Sequence, residues 1–170
     1  MISMKGRSLA TDRVHLPDLG RRGEGWVVLQ GVLFVAIVGA GSVGPLWNGP
    51  ARMGGAIAGA VLITVGVGLL TAGILGLRRQ LTAYPRPVLG GRLIEGGAFG
   101  LIRHPMYGGA VIAAVGWGLV MASPLALAVT VVLGVFFDLK SRREEAWLGE
   151  RFAGYATYRQ RTCRLIPFLY

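Results

Sequence analysis

Two long stretches of the chain carry no charge, Trp26 to Trp47 and Met53 to Leu77. A helix needs roughly 20 mostly apolar residues to cross a hydrocarbon core of about 30 Å, and both stretches meet that requirement. Met106 to Phe137 is a third uncharged run, interrupted at Ala122-Ser123-Pro124. It predicts a tight pair of helices, because proline starts a helix more readily than it continues one. The pattern therefore predicts four spans, at about 26–47, 53–77, 105–121 and 124–139. Beyond them Ser141 to Gln160 reads as an amphipathic helix. Its Leu148, Phe152 and Tyr155 fall on one stripe, while Arg143, Glu150 and Arg151 lie toward other faces. The expected fold is an all-α polytopic membrane protein with a C-terminal amphipathic helix. A basic arm at 1–25 precedes a single membrane domain at 26–170.

Composition agrees with a membrane class: 53% of residues are hydrophobic, 15% are charged, and the mean hydropathy is +0.56. Lys and Arg then set an expected orientation, since they accumulate in cytoplasmic loops. Of 18 such residues only Arg52 falls in a predicted outer loop. The others precede Trp26, lie between the second and third spans, or follow the fourth. Both termini and the loop at 78–104 are thus expected in the cytoplasm, with the protein integral to the cytoplasmic (inner) membrane. The net charge of +10 is read as orientation plus attraction to anionic lipid, not as a nucleic-acid footprint, because no basic soluble domain is present. Cys163, the single cysteine, excludes an intramolecular disulfide. The first apolar run is longer than a signal-peptide core and is read as an uncleaved span.

Within the spans, Gly55 and Gly59 form a small-xxx-small pair that Gly66, Gly73 and Gly76 extend. Small residues let helix backbones approach closely in lipid, so packing is their expected role. The loop at 78–104 holds Tyr84-Pro85-Arg86-Pro87, Gly90-Gly91 and Gly96-Gly97, which favour an irregular path able to come near a ligand. Gly39-Ala40-Gly41-Ser42-Val43-Gly44 spells a dinucleotide-binding turn, but it ends a span and no acidic residue follows before Glu95. A ribose-binding acid about 20 residues on is part of that fingerprint, so the match is rejected.

Two polar clusters carry the candidate chemistry. Arg103-His104-Pro105-Met106-Tyr107 opens the third span, and Arg142-Arg143-Glu144-Glu145 follows the fourth. A helical hairpin returns both clusters to one side of the membrane. His104 and Tyr107, three apart at a helix start, can face one pocket. Glu144 and Glu145 flank the inward stripe, where adjacent carboxylates are unfavourable unless a cation or hydrogen-bond donor answers them. A cationic ligand is one such answer, and Arg103, Arg142 and Arg143 are the structural alternative.

The segment Leu93-Ile94-Glu95-Gly96-Gly97-Ala98-Phe99-Gly100-Leu101-Ile102-Arg103-His104-Pro105-Met106-Tyr107-Gly108-Gly109 resembles the core motif of the isoprenylcysteine carboxyl methyltransferase and phospholipid methyltransferase superfamily. Glu144-Glu145, Leu148, Phe152, Tyr155, Tyr158 and Arg164-Leu165-Ile166-Pro167 follow the spacing of that superfamily's C-terminal block. Leu81 to Pro87 is similar to a loop of its bacterial members. The resemblance covers about residues 75–168, with the cofactor motifs at 93–109 and 140–168. One departure stands out: where the family often has Gly-Pro-Tyr-Arg, this chain has Gly97-Ala98-Phe99-Gly100, which removes a hydroxyl and a cation from the acceptor side.

The resemblance implies a membrane enzyme that uses S-adenosyl-L-methionine without a Rossmann domain. It implies cofactor contacts from His104, Pro105, Tyr107, Gly97, Leu101, Glu144 and Glu145, with Arg103 and Glu145 as catalytic residues. Arg103 would orient an acidic acceptor, as its planar fork suits. The expected acceptor is lipophilic, an isoprenylcysteine-like carboxylate or a lipid, reached from the membrane lipids. Two other readings stand beside this one: a four-span subunit without catalysis, and a membrane reductase related to sterol reductases.

Overall fold

The computed structural model describes residues 16–45, 47–82, 84 and 90–166. Lys5, Arg7, Arg13 and His15 of the arm, Pro85-Arg86-Pro87 of the loop and Pro167 lie outside the described residues. Among the described residues five α-helices follow one another: α1 (Glu24–Gly41), α2 (Gly49–Leu77), α3 (Pro105–Val120), α4 (Pro124–Arg151) and α5 (Tyr155–Gln160). Short 3-10 turns occupy Arg78–Gln80 and Gly97–Gly100. Among the described residues there is no strand, only an isolated parallel bridge between Ile102 and Cys163.

α1, α2 and α4 are long and apolar enough to cross a membrane, and α3 is a shorter apolar helix of 16 residues. At 1.5 Å per residue α3 covers about 24 Å. Large apolar side chains such as Val28, Val35, Ile57, Val61, Val131 and Val135 face outward. In lipid that exposure carries no penalty, and the chain is an all-helical polytopic membrane protein. The 28 residues of α4 make it about 42 Å long, so the polar part from Lys140 onward projects beyond the apolar span.

Helix starts follow the sequence signals. Prolines stand at the first turns of α2, α3 and α4, where a missing N–H costs nothing. Ser123 caps α4: its Oγ accepts from the Ala126 amide at 3.2 Å and donates to the Ala40 carbonyl at 2.8 Å, tying the α3–α4 turn to the end of α1. The glycine run at 39–44 is the C-terminal end of α1 and the turn after it, where Gly41 lies against the indole of Trp117.

Glycine also decides how α2 meets α3. A Cβ on Gly59 would stand 2.5 Å from the carbonyl oxygen of Gly116, and one on Gly66 would stand 2.5 Å from that of Gly109. The reverse substitutions meet the same limit. Gly59, Gly66 and Gly73 recur every two helical turns and form the seam, with Gly73 against Met106 and Pro105. Gly76 accommodates the Phe99 ring instead, and Gly55 lies near Trp47. On the other side α4 packs on α1 and α3 through Trp26, Ile37, Leu133, Phe136 and Phe137.

The amphipathic stretch is not one helix. Its first part continues α4 to Arg151, Phe152 turns to extended backbone, and α5 begins at Tyr155 after Gly154. Glycine is a poor helix residue, and the break lets the aromatic stripe fold back over the polar end of the bundle.

Candidate functional site

The last described segment crosses the start of α3. Cys163 donates its amide to the Leu101 carbonyl at 3.0 Å, Arg103 donates to Cys163 at 2.9 Å, and His104 donates to Arg164 at 3.0 Å. Gly108 lies directly beneath the Leu165 carbonyl. Residues 101–104 are therefore fixed from both sides before their side chains do anything.

Glu145, with 4% of its side chain exposed, is the hub beneath this crossing. Arg103 Nε donates to its Oε1 at 2.7 Å. His104 Nε2 and Arg164 Nε stand 3.4 Å from the same oxygen, and Arg159 Nε is 3.7 Å from Oε2. Burial works against the charge, but His104 and Arg103 overcome it and hold the carboxyl down at about 2. The Arg103 Nη1 also donates to the carbonyls of Arg159 (3.0 Å) and Thr162. One guanidinium thus joins α3, α4 and the C-terminal segment. Arg142 pairs with Asp138 and Arg143 with Asp18, so neither is what answers the glutamates.

Glu144 takes the outer position, with 24% of its side chain exposed. Tyr107 donates its hydroxyl to Oε2 at 2.9 Å, and His104 Nδ1 stands 3.6 Å from the same oxygen. The His104 and Tyr107 rings are nearly coplanar in orientation, 3° apart with centroids at 5.3 Å. Tyr107 in turn stacks on Phe137 at 4.6 Å, which carries the column of rings into the core between α1 and α4. His104 and Tyr107, expected to face one pocket, stack on each other, but only His104 lines the cleft.

A cleft of about 710 Å³, open mouth included, lies over the cluster. Arg103, His104 and Glu144 form its polar floor, Leu148, Phe152, Tyr155 and Tyr158 one wall, and Gln80, Arg92, Ile94 and Phe99 the other. Gln80 holds the second wall by accepting the Arg92 amide at 2.5 Å. Tyr158 donates to the Phe99 carbonyl at 2.7 Å and closes the two walls together. Burial lifts the Tyr158 phenol to about 12 and pushes that of Tyr155 higher still. Both are neutral hydrogen-bonding groups. His104 Nε2 and the Tyr155 hydroxyl are buried and make no hydrogen bond among the described residues.

Of the residues singled out from sequence, Arg103, His104 and Glu144 line this cleft. Tyr107 and Glu145 stand behind them, each bonded to one of the three or to its neighbour. Pro105 is buried at the first turn of α3, Gly97 opens a 3-10 turn with φ +62°, and the Leu101 side chain points outward. Tyr155 and Phe152 on the wall belong to the stripe visible in the sequence. Gln80 and Arg92 had no such signal, because their placement depends on the path of a loop.

A model of the phospholipid methyltransferase family matches residues 55–154. Two rice proteins, from Oryza sativa subsp. indica and subsp. japonica, each named probable protein-S-isoprenylcysteine O-methyltransferase, are 38% identical to the chain over 80 residues. That alignment takes in 46% of this chain and 42% of each relative, so the chain matches less than half the length of either rice protein. The family match is broader: it takes in both polar clusters, the glycine seam and most of the cleft. By that match the chain belongs to the phospholipid methyltransferase family.

Proposed function

We propose that the protein transfers a methyl group from S-adenosyl-L-methionine to a lipophilic acceptor, with carboxylate oxygen as the favoured nucleophile, at the cytoplasmic face of the membrane. The observation that carries this reading is the pair Glu144 and His104 on the floor of the cleft, with Tyr107 behind them holding Glu144. The cofactor fits the donor set. Glu144 offers a carboxylate to a cationic ligand, and the Tyr155 hydroxyl is a buried polar atom with no hydrogen-bond partner among the described residues.

When bound, the cofactor supplies a methyl group on a cationic sulfur, which in-line attack by the acceptor removes. Such a displacement asks the protein mainly for alignment, worth up to about 7–11 kcal/mol in well-oriented cases. Glu144 binds and orients, held in place by the Tyr107 hydroxyl. Arg103 and Glu145 are positioning residues on this reading, since each is engaged with the other and with the segments around His104. Phe99 presents an apolar face where the family often has a tyrosine, so the acceptor side of the cleft favours hydrocarbon over polar groups. A carboxylate acceptor needs no base.

Membranes containing the full chain, incubated with methyl-labelled S-adenosylmethionine, test the reading directly. Labelled lipid-soluble product that releases methanol in base is the expected result. Base-stable label would move the acceptor to an amine or thioether. No binding of the cofactor by purified protein would return the chain to a non-catalytic membrane subunit.

A further inference from the structure

Tyr155 and Tyr158 sit one turn apart on α5, both 3% exposed, with ring centroids 5.9 Å apart. Their hydroxyls behave differently. That of Tyr158 donates to the Phe99 carbonyl at 2.7 Å and so has a structural use. That of Tyr155 is fully buried, belongs to a side chain on the cleft wall, and has no hydrogen-bond partner among the described residues. A buried hydroxyl left unsatisfied is destabilising, and phenylalanine would supply the same packing without that cost. The ligand-free fold therefore gains nothing from the oxygen that Tyr155 carries.

We propose that the Tyr155 hydroxyl is a hydrogen-bonding contact for the cofactor, added to the Glu144 carboxylate in the same cleft. The proposal rests on the methyl-transfer reading above and adds a binding residue to it. Three charged groups act on Tyr155: the carboxylates of Glu145 and Glu144, and the guanidinium of Arg103. Burial and the two carboxylates keep the phenol protonated, so it can both donate and accept. Glu145 is already answered by Arg103, so the partly exposed Glu144 is the carboxylate in this cleft left to attract a cationic ligand, and Tyr155 lines the same cleft. His104, whose Nε2 stands 3.4 Å from Glu145 Oε1, lies on the floor of the same cleft.

The test uses the full chain in lipid nanodiscs, wild type beside Tyr155→Phe and Tyr158→Phe. Thermal unfolding without ligand and calorimetric titration with S-adenosylmethionine and with S-adenosylhomocysteine are measured on each. Tyr155→Phe is expected to unfold at or above the wild-type temperature while its Kd for both ligands rises tenfold or more. Tyr158→Phe is expected to unfold at a lower temperature, since its hydroxyl holds the two walls together. Wild-type affinity in Tyr155→Phe, with or without loss of turnover, would overturn the proposal and give the hydroxyl to the acceptor or to no ligand. A ligand-free Tyr155→Phe protein as unstable as Tyr158→Phe would overturn it too, by showing a structural role. If wild-type protein bound neither ligand, the methyl-transfer reading would fail and this inference with it, a result distinct from equal binding by wild type and variant.

Discussion

Gly108 on the first turn of α3 and Leu165 in the C-terminal segment touch backbone to backbone, the Leu165 carbonyl oxygen standing where any side chain at 108 would begin. That contact is what lets Cys163 and Arg164 reach the amides of Arg103 and His104. Gly108→Ala is expected to lower stability by about 1–3 kcal/mol, as overpacking does, despite alanine's better helix propensity. S-adenosylmethionine affinity should fall with it, because the displaced segment carries the carbonyls that hold Arg103. Gly134→Ala, inside α4 with open space around its Cβ, is the control and should leave affinity unchanged and stability unchanged or slightly raised. Thermal unfolding and ligand titration on purified protein measure the difference. Equal behaviour of the two variants would mean the segment is not held at this crossing.

Glu145 gives a pH-dependent prediction. Its folded carboxyl is held at about 2 against an ordinary value near 4.5, chiefly by His104 and Arg103 acting against burial. A depressed carboxyl contributes stability that is complete above pH 4.5 and is lost as pH falls through about 2. Glu145→Gln should therefore flatten the acid limb of the stability curve between pH 4.5 and 2. It should also lower stability at neutral pH by roughly 3–5 kcal/mol, the usual cost of breaking a buried pair and leaving its cation. An acid limb identical to wild type would show that another group titrates there.

Much of this was legible in the residues, and the rest depended on chain path. Uncharged runs and proline starts located the helices, since lipid demands long apolar stretches and proline tolerates only a first turn. The pairing of the two polar clusters followed from the hairpin between them. Which glutamate lies inward did not follow, because Glu144 and Glu145 both flank the stripe and only the Arg103 crossing separates them. Gly109 and Gly116 were not identified as partners of the α2 glycines, since their role exists only when α2 faces them. The break at Phe152 was likewise hidden, because the aromatic spacing is compatible with a continuous helix until Gly154 is considered.

Orientation makes a third prediction. Of 18 Lys and Arg residues, 17 lie outside the two predicted outer loops, and the cleft opens at the end of the bundle that most of them surround. A reporter fused after Tyr170 should be active only from the cytoplasm, and a cysteine introduced at Asn48, exposed in the loop between α1 and α2, should react only from the opposite face. Labelling of both sites from one side would refute the topology and the proposed face of catalysis together.

Tyr107 separates packing from ligand orientation. Its ring is held between His104 and Phe137, and phenylalanine preserves that stack, so Tyr107→Phe removes only the 2.9 Å hydrogen bond to Glu144. A hydrogen bond to a charged group contributes about 1.5–3 kcal/mol. Glu144 is partly exposed, so water replaces some of that in the free protein, and stability should change little. In the cleft the loss is larger in effect, because an unanchored carboxylate must be ordered again each time the ligand binds. The expected outcome is an S-adenosylmethionine Kd raised about tenfold, near 1.4 kcal/mol, with the unfolding temperature almost unchanged. Glu144→Gln should weaken binding by at least as much, and the double variant should lose less than the sum, since both act through one carboxylate. Strict additivity in calorimetry would show that Tyr107 and Glu144 contact the ligand independently and that the hydroxyl does not serve to position Glu144.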